Sequence, residues 1–309
     1  MTKKKSQQKT KKAKKPEAKL DTPVLFLVFN RPETTKRVFQ EIRKAKPTKL
    51  YIAADGPRTK KEKKKTDAVR NYILKNIDWK CKVKKLFRKE NLGCKYAVSG
   101  AIDWFFENEE QGIILEDDCL PSQSFFRFCQ ELLEKYSKED SVKFVCGTNF
   151  FGELKIKNDY VFSKAMFCPW GWATWKRSWG FNEEKMKLSF SNNGKTSPYL
   201  LHRFIFRKKL KDTFKGKTSS WAYILNFKMI LEKGVSIFPR KNLVENIDFI
   251  TGTHDFSKID KKYQFVKRKE INFPLKNPKK IKIDRAFDRK SILKVYRRII
   301  FKKIGMLIK

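Results

Sequence analysis

An α/β fold with a mostly parallel central sheet flanked by helices is what this chain predicts, on three observations. Short apolar runs of strand length alternate with longer stretches whose apolar residues recur at helical spacing, the pattern of βαβ units. Polar clusters directly follow three of those runs: Asn30-Arg31, Asp55 and Glu116-Asp117-Asp118. Hydrophobic residues make up 40% and aromatics 14% of 309 residues, enough for a sizeable core.

The elements follow in order. Met1 to Leu20 is Lys-rich and lacks apolar residues to bury, so residues 1–22 are expected to be a disordered basic arm. Val24 to Phe29 is a continuous apolar run, as in a buried parallel strand. Thr34 to Ala45 has Val38, Phe39 and Ile42 on one helical face. Leu50 to Ala54 is a second strand, closed by the turn residues Asp55-Gly56-Pro57. Lys60 to Lys65 is expected to be a charged loop before a helix over Thr66 to Ile77. A basic strand at Val83 to Arg88 precedes a helix over Gly93 to Asn108. The strand Gly112 to Leu115 leads into the acidic triplet, a helix over Ser122 to Tyr136 and a strand at Val142 to Cys146.

The second half is less regular. It has a tryptophan-dense stretch from Trp170 to Trp179, a helix over Trp221 to Glu232, a short strand at Val235 to Pro239 and a polar-flanked segment at Asn242 to Phe249. From Lys267 the chain is basic, ending in an amphipathic helix over Ser291 to Ile308. The expected division is therefore an arm over 1–22, one domain over 23–266 and a basic extension over 267–309.

The formal net charge is +40, which favours anionic partners: phosphorylated substrates, an anionic membrane surface or nucleic acid. The basic arm and C-terminal helix point to peripheral docking on such a membrane. Nucleic acid is the weaker expectation, because no recognised binding motif accompanies the charge. The six cysteines show no C-x-x-C spacing, so neither a zinc knuckle nor a redox motif is indicated. Irregular thiols, with no secretory signal and no apolar run near the ~20 residues that cross a bilayer, give a cytoplasmic expectation.

The triplet Glu116-Asp117-Asp118 carries the chemistry. Two carboxylates ~4 Å apart repel by roughly 4 kcal/mol at an effective dielectric of ~20. Such a cluster at the end of a core strand points into water or holds a cation. Hard oxygen ligands there suit Mg²⁺ or Mn²⁺ bridging to substrate phosphates. Ligands of parallel sheets bind beyond the carboxyl ends of the strands, where all three polar clusters are expected.

Six segments carry a resemblance: Leu27-Val28-Phe29-Asn30-Arg31-Pro32, Ala54-Asp55-Gly56, Asn91-Leu92-Gly93-Cys94, Ile114 to Pro121 around the triplet, Trp170-Gly171-Trp172-Ala173-Thr174-Trp175 and Asn242 to Ile247. In this order they resemble the GT-A nucleotide-diphospho-sugar glycosyltransferases, over roughly Pro23 to Phe256. The nearest likeness is to N-acetylglucosaminyltransferase I and haemolysin-like bacterial and viral sugar transferases. The resemblance implies an inverting transfer from a UDP-sugar donor to a glycan, glycolipid or glycoprotein acceptor, with Mn²⁺ or Mg²⁺. It implies that Arg31 contacts the diphosphate, that Asp55 takes the uracil ring, and that Asp118 is the direct metal ligand. Asp117 and Glu116 then hold ribose and sugar hydroxyls, with Asn30 and Lys95 also beside the donor. His254 is either a further metal or pyrophosphate contact or a structural histidine. Trp170, Gly171, Trp172 and Trp221 fall either to the acceptor site or to the core.

One departure matters. Relatives place an Asp after a Trp as the general base, and here that segment reads Trp221-Ala222-Tyr223. Alanine cannot take a proton, and general-base catalysis is worth ~10²–10⁴-fold. Asp212, Glu183, Asp248 and Asp255 are alternative bases. The rival expectation is a sugar-nucleotide-binding protein with reduced turnover.

Overall fold

The computed structural model describes residues 19–180, 182–192, 196–218, 220–247 and 266–307, with side chains as far as residue 296. The first half lays down β1 (Val24–Val28), α1 (Pro32–Ala45), β2 (Lys49–Ala54), α2 (Lys60–Lys75), β3 (Lys82–Phe87), α3 (Gly93–Phe106) and β4 (Gln111–Glu116). There follow β5 (Cys119–Pro121), α4 (Gln123–Lys135), β6 (Val142–Cys146), β7 (Tyr160–Ser163), β8 (Trp172–Trp175), α5 (Glu183–Ser191), α6 (Leu200–Phe214), α7 (Trp221–Leu231), β9 (Val235–Pro239), β10 (Val244–Asn246) and α8 (Arg285–Leu307).

The main sheet has eight strands in the order β3-β2-β1-β4-β8-β6-β9-β7. The β1, β2, β3 and β4 strands pair in parallel, and only β8 and β7 run against the common direction. This is the α/β, mostly parallel sheet that the sequence predicts. β1 is buried along its whole length, which is why it reads as an unbroken apolar run and not an alternating one.

Two assignments change. The lysines from Lys60 to Lys65 are the first turns of α2, not a loop. Thr59 caps the helix by accepting a hydrogen bond from the Glu62 amide (3.2 Å), and Lys is a good helix former where its head reaches water. Trp172 to Trp175 is a strand, buried at every position and paired on both sides. Fully buried strands lack the period-2 signature, so nothing in the pattern marks it.

The boundary expected at residue 267 is not a packing boundary. Ile271 and Leu275 join the core on one face of the sheet, and Phe287, Ile292 and Tyr296 join the core on the other. The buried Asp288 of α8 accepts hydrogen bonds from the Ser163 and Tyr199 hydroxyls (2.7 Å to Tyr199), tying that helix to β7 and α6. The arm expected over 1–22 lies outside the described residues except for its last four, of which Leu20 is buried.

His202 on α6 is fully buried, stacked on Phe206 and beside Tyr296, with Nδ1 2.8 Å from the Ser197 hydroxyl. Burial holds its pKa down to about 4. Between its unfolded value near 6.5 and about 4, the unfolded chain binds the proton and the folded chain does not, so stability falls as pH is lowered through that window. The expected loss is on the order of 3 kcal/mol. The difference in unfolding free energy between the parent and His202→Asn, measured by urea titration at pH 7.5 and 4.5, isolates this contribution. A difference that does not change with pH overturns it.

Candidate functional site

The chain runs outward from β1 to β2 to β3, then returns to the other side of β1 as β4. Strand order therefore reverses between β1 and β4, and a crevice opens beyond their carboxyl ends. Phe29 to Arg31 leave β1 on one side of it, and Glu116 to Asp118 end β4 on the other. The two sides are joined directly. The Arg31 guanidinium pairs with Asp117 through Nη2 and with Asp118 through Nη1 (3.2 Å), while the Phe29 amide donates to Asp117 Oδ2 (3.2 Å). Asp117 is buried at 1% exposure, whereas the Asp118 side chain keeps 15%.

Charge is not balanced here. Burial, then repulsion from the neighbouring acids, pushes the Glu116 carboxyl well above the usual carboxylate range, against Arg31. Asp117 is also raised, burial outweighing the pull of Arg31. Arg31 draws both carboxyls down, but burial and their mutual repulsion outweigh it, so the three acids are more than this guanidinium balances. That deficit fits a divalent ion. The described residues hold no preformed cage of three His, Cys, Asp or Glu ligands. The donor set suits Mg²⁺ or Mn²⁺, which bind through one or two carboxylates and complete their shells with phosphate oxygens and water.

Asp55 ends β2 at the same edge, but its task is structural. Its Oδ1 accepts from the Gly56 and Leu92 amides (2.9 and 3.0 Å), and its Oδ2 from Asn91 Nδ2 and the Gly93 amide (2.9 and 3.1 Å). Both oxygens are filled by the chain itself, which corrects the expectation that this carboxylate takes a uracil ring. Asp55 pins the loop after β2 to the loop before α3. The approach is close enough that a Cβ on Gly56 would lie 2.3 Å from the Glu90 backbone. Asp55→Ala is expected to cost about 3 kcal/mol, since it strands several donors of a charged network. Urea denaturation checks this, and a loss below 1 kcal/mol would contradict the pinning role.

Lys95 stands in the first turn of α3 and pairs with Glu183 at the start of α5 (2.7 Å). Its neighbour Cys94 has a thiol pushed up to about 11, by desolvation first and next by the charge of Glu116, with Asp118 adding to it. The start of α3 lies at the same end of the sheet, its Gly93 amide bonded to Asp55 at the end of β2, and Lys95 ties Glu183 to it. Asn30 turns the other way, donating to Glu62 of α2 (3.1 Å).

The far wall comes from the second half. Ile114 of β4 pairs with Trp172, so Trp170 and Gly171 run beside Glu116 at the sheet edge. The amide of Ile247, just after β10, donates to the Asp118 carbonyl (2.8 Å), and Asn246 pairs with Cys119. Gly171 has φ +64°, and a Cβ there would lie 2.8 Å from Val244, so a glycine is required. Trp170 is partly buried beside Phe150. Trp172 and Trp221 are buried at 0% and 4% exposure, stacked on one another at 5.8 Å. Their rings are core, the second of the two expectations, and not an acceptor-site lining.

Ala222 lies in the first turn of α7, partly buried against that aromatic core. Asp212 belongs to the surface of α6, 3.5 Å from Lys208. Asp248, His254 and Asp255 lie outside the described residues.

Sequence reasoning did not single out Thr148, Asn149 or Asn242 individually. The Thr148 hydroxyl donates to the carbonyls of Trp170 and Val244 (2.9 and 3.0 Å). Asn242 accepts from the Asn149 amide (3.0 Å) and donates to the Val244 carbonyl (2.8 Å). These contacts bring the loop after β6, the loop before β8 and β10 together as one wall. Each residue looks like ordinary loop chemistry, and only the contact between distant segments reveals its part.

No family model and no curated protein matches the sequence. Among solved structures, the mannosyltransferase PcManGT from Pyrobaculum calidifontis in complex with GDP-Man and Mn²⁺ is similar at 13% identity over 69% of each chain, with a TM-score of 0.38. A UDP-glucose pyrophosphorylase complexed with UDP-glucose is similar at 10% identity over 73% of this chain and 93% of that one, also at 0.38. HddC from Yersinia pseudotuberculosis follows at 9% identity over 51% and 78%, at 0.31. Likenesses this low carry no argument about what the chain binds.

Proposed function

We infer that the chain is a divalent-metal-dependent transferase using a sugar nucleotide, and within that class a GT-A glycosyltransferase with a UDP-sugar donor. The observation that carries this reading is the uncompensated acid cluster at the switch point between β1 and β4. The motif order of the sequence resemblance supports the same reading.

Asp118, the more exposed of the two aspartates, would hold Mn²⁺ or Mg²⁺ together with donor phosphate oxygens. Bound there, the ion supplies Lewis-acid stabilisation to the departing nucleoside diphosphate. Asp117 is buried and held by the Phe29 amide and Arg31, so it would orient the cluster. Arg31 fixes both aspartates and brings a permanent positive charge to the crevice, suited to phosphate oxygens. Lys95 adds a second cation at the rim. Glu116, partly exposed at the end of β4, would accept a sugar or ribose hydroxyl.

The proton of the acceptor hydroxyl needs a base, and Ala222 supplies none. Glu183 is the described candidate tied to the rim, through Lys95; Asp248 and Asp255 are the others. A second reading, a sugar-nucleotide-binding protein with reduced turnover, is favoured by Ala222 alone. Rapid transfer from a UDP-sugar by the purified chain supports the first; metal-dependent binding with barely detectable hydrolysis or transfer supports the second.

The direct test is calorimetric titration of the full chain with UDP, with and without Mn²⁺. Binding that requires the metal is expected. Binding indifferent to metal, or none with Mn²⁺ present, removes the reading.

A further inference from the structure

A helix packed on a core normally turns apolar residues inward and polar ones outward. α6 departs from this in its first turns. His202, Ile205, Phe206 and Leu210 face the core, yet Leu200, Leu201 and Phe204 are 66%, 43% and 63% exposed. A further turn along the same outward face the residues become Lys208, Lys211 and Lys215, all exposed. Across residues 200–217 there are seven Lys or Arg, namely Arg203, Arg207, Lys208, Lys209, Lys211, Lys215 and Lys217, against the single acid Asp212.

An isolated exposed leucine needs no explanation, but three large apolar side chains grouped on one outward face do. We propose that the outward face of α6 is a docking surface for an anionic lipid bilayer, with Leu200, Leu201 and Phe204 entering the headgroup region and the lysines meeting acidic headgroups. Charge complementarity selects this occupant. Apolar insertion combined with basic flanks is how interfacial helices bind, the two contributions reinforcing each other. A polynucleotide would engage the lysines but leave Leu200 and Leu201 in water. A second copy of this chain would bring the same lysines against one another, on a molecule of net charge +40. Among the described residues no helix is long and apolar enough to cross a membrane, so attachment here is to the surface.

The proposal is independent of the chemistry assigned to the acid cluster. α6 is anchored to α8 by the Tyr199–Asp288 hydrogen bond and the His202–Tyr296 ring contact, neither of which uses the outward face. Exposed substitutions should therefore leave the fold unchanged.

The test is co-sedimentation of the full chain with vesicles of phosphatidylcholine alone and of phosphatidylcholine with 30% phosphatidylserine, at 0.15 M salt. Binding only to the acidic vesicles is expected. Leu200→Ser combined with Phe204→Ser should weaken it about tenfold, and Lys208→Glu combined with Lys211→Glu by a similar factor, with thermal unfolding and UDP binding unchanged in both. No vesicle binding by the parent, or equal binding by both variants, overturns the proposal. A Ser variant that binds vesicles normally but changes from dimer to monomer makes the face a contact between copies. A Glu variant that loses only RNA binding assigns the lysines to nucleic acid. Each of those two outcomes also overturns it.

Discussion

Asp118→Asn is expected to abolish manganese-dependent binding of UDP while leaving the fold as stable as before. The substitution keeps size and shape, and the side chain it alters is partly exposed. What it removes is a charge. In the absence of metal, Asp118 both attracts Arg31 and repels Glu116 and the buried Asp117. Those effects oppose, so the apo protein should unfold within about 1 kcal/mol of the parent. With a divalent ion the balance changes, because a hard cation loses an anionic oxygen ligand and gains a neutral amide. Affinity for UDP in the presence of Mn²⁺ should fall about a hundredfold or more, at or beyond the top of the ~10–100-fold range seen when residues that only support a metal ligand are lost. The two readouts are calorimetric titration with UDP and Mn²⁺, and urea unfolding without either. Retained affinity would remove Asp118 from the metal site. A large loss of apo stability would show instead that the triplet is structural.

Trp172→Ala should be the most destabilising single change in the second half, by about 3–5 kcal/mol. The ring is fully buried between Phe144, Phe167, Trp179 and Trp221, with centroids 5.8, 5.0, 6.3 and 5.8 Å away. It comes from β8, which joins β4 to β6 and so connects the half of the sheet bearing the acids to the half forming the far wall. A cavity there can collapse only by moving one of those strands. Trp170→Ala, at a partly buried position outside β8, should cost less than half as much. Guanidinium unfolding of both variants decides the matter. Equal and small losses, with altered acceptor use, would return Trp172 to a substrate-binding part.

Much of the first half was legible because each buried parallel strand is an apolar run bounded by turn residues, and each helix shows its inward stripe. β1, β2, β4 and β6 are found this way to within one or two residues. The errors have local causes. The lysines of Lys60 to Lys65 read as a loop because helix propensity is a weaker signal than charge density. β8 read as an undifferentiated aromatic stretch because a strand covered on both faces has no alternation. The segments from β7 to α6 carried too little period to assign, and α5 buries none of its residues.

Composition and order along the chain thus determined the fold class, the edge where polar residues gather and the acids gathered there, since burial of apolar runs and turn chemistry act over a few residues. The partners of those acids were decided only by tertiary structure. Asp55 looked like a ligand contact and is a loop pin, because the four donors that fill its oxygens include three from residues 91–93. Trp172 and Trp221 could have served a sugar or the core and are core, because Phe144, Phe167 and Trp179 converge on them from separate segments. Arg31 was expected to face a phosphate and in this structure holds Asp117 and Asp118. Electrostatics and packing depend on distances between residues far apart in sequence, and the crossing from β3 back past β1 to β4 sets those distances.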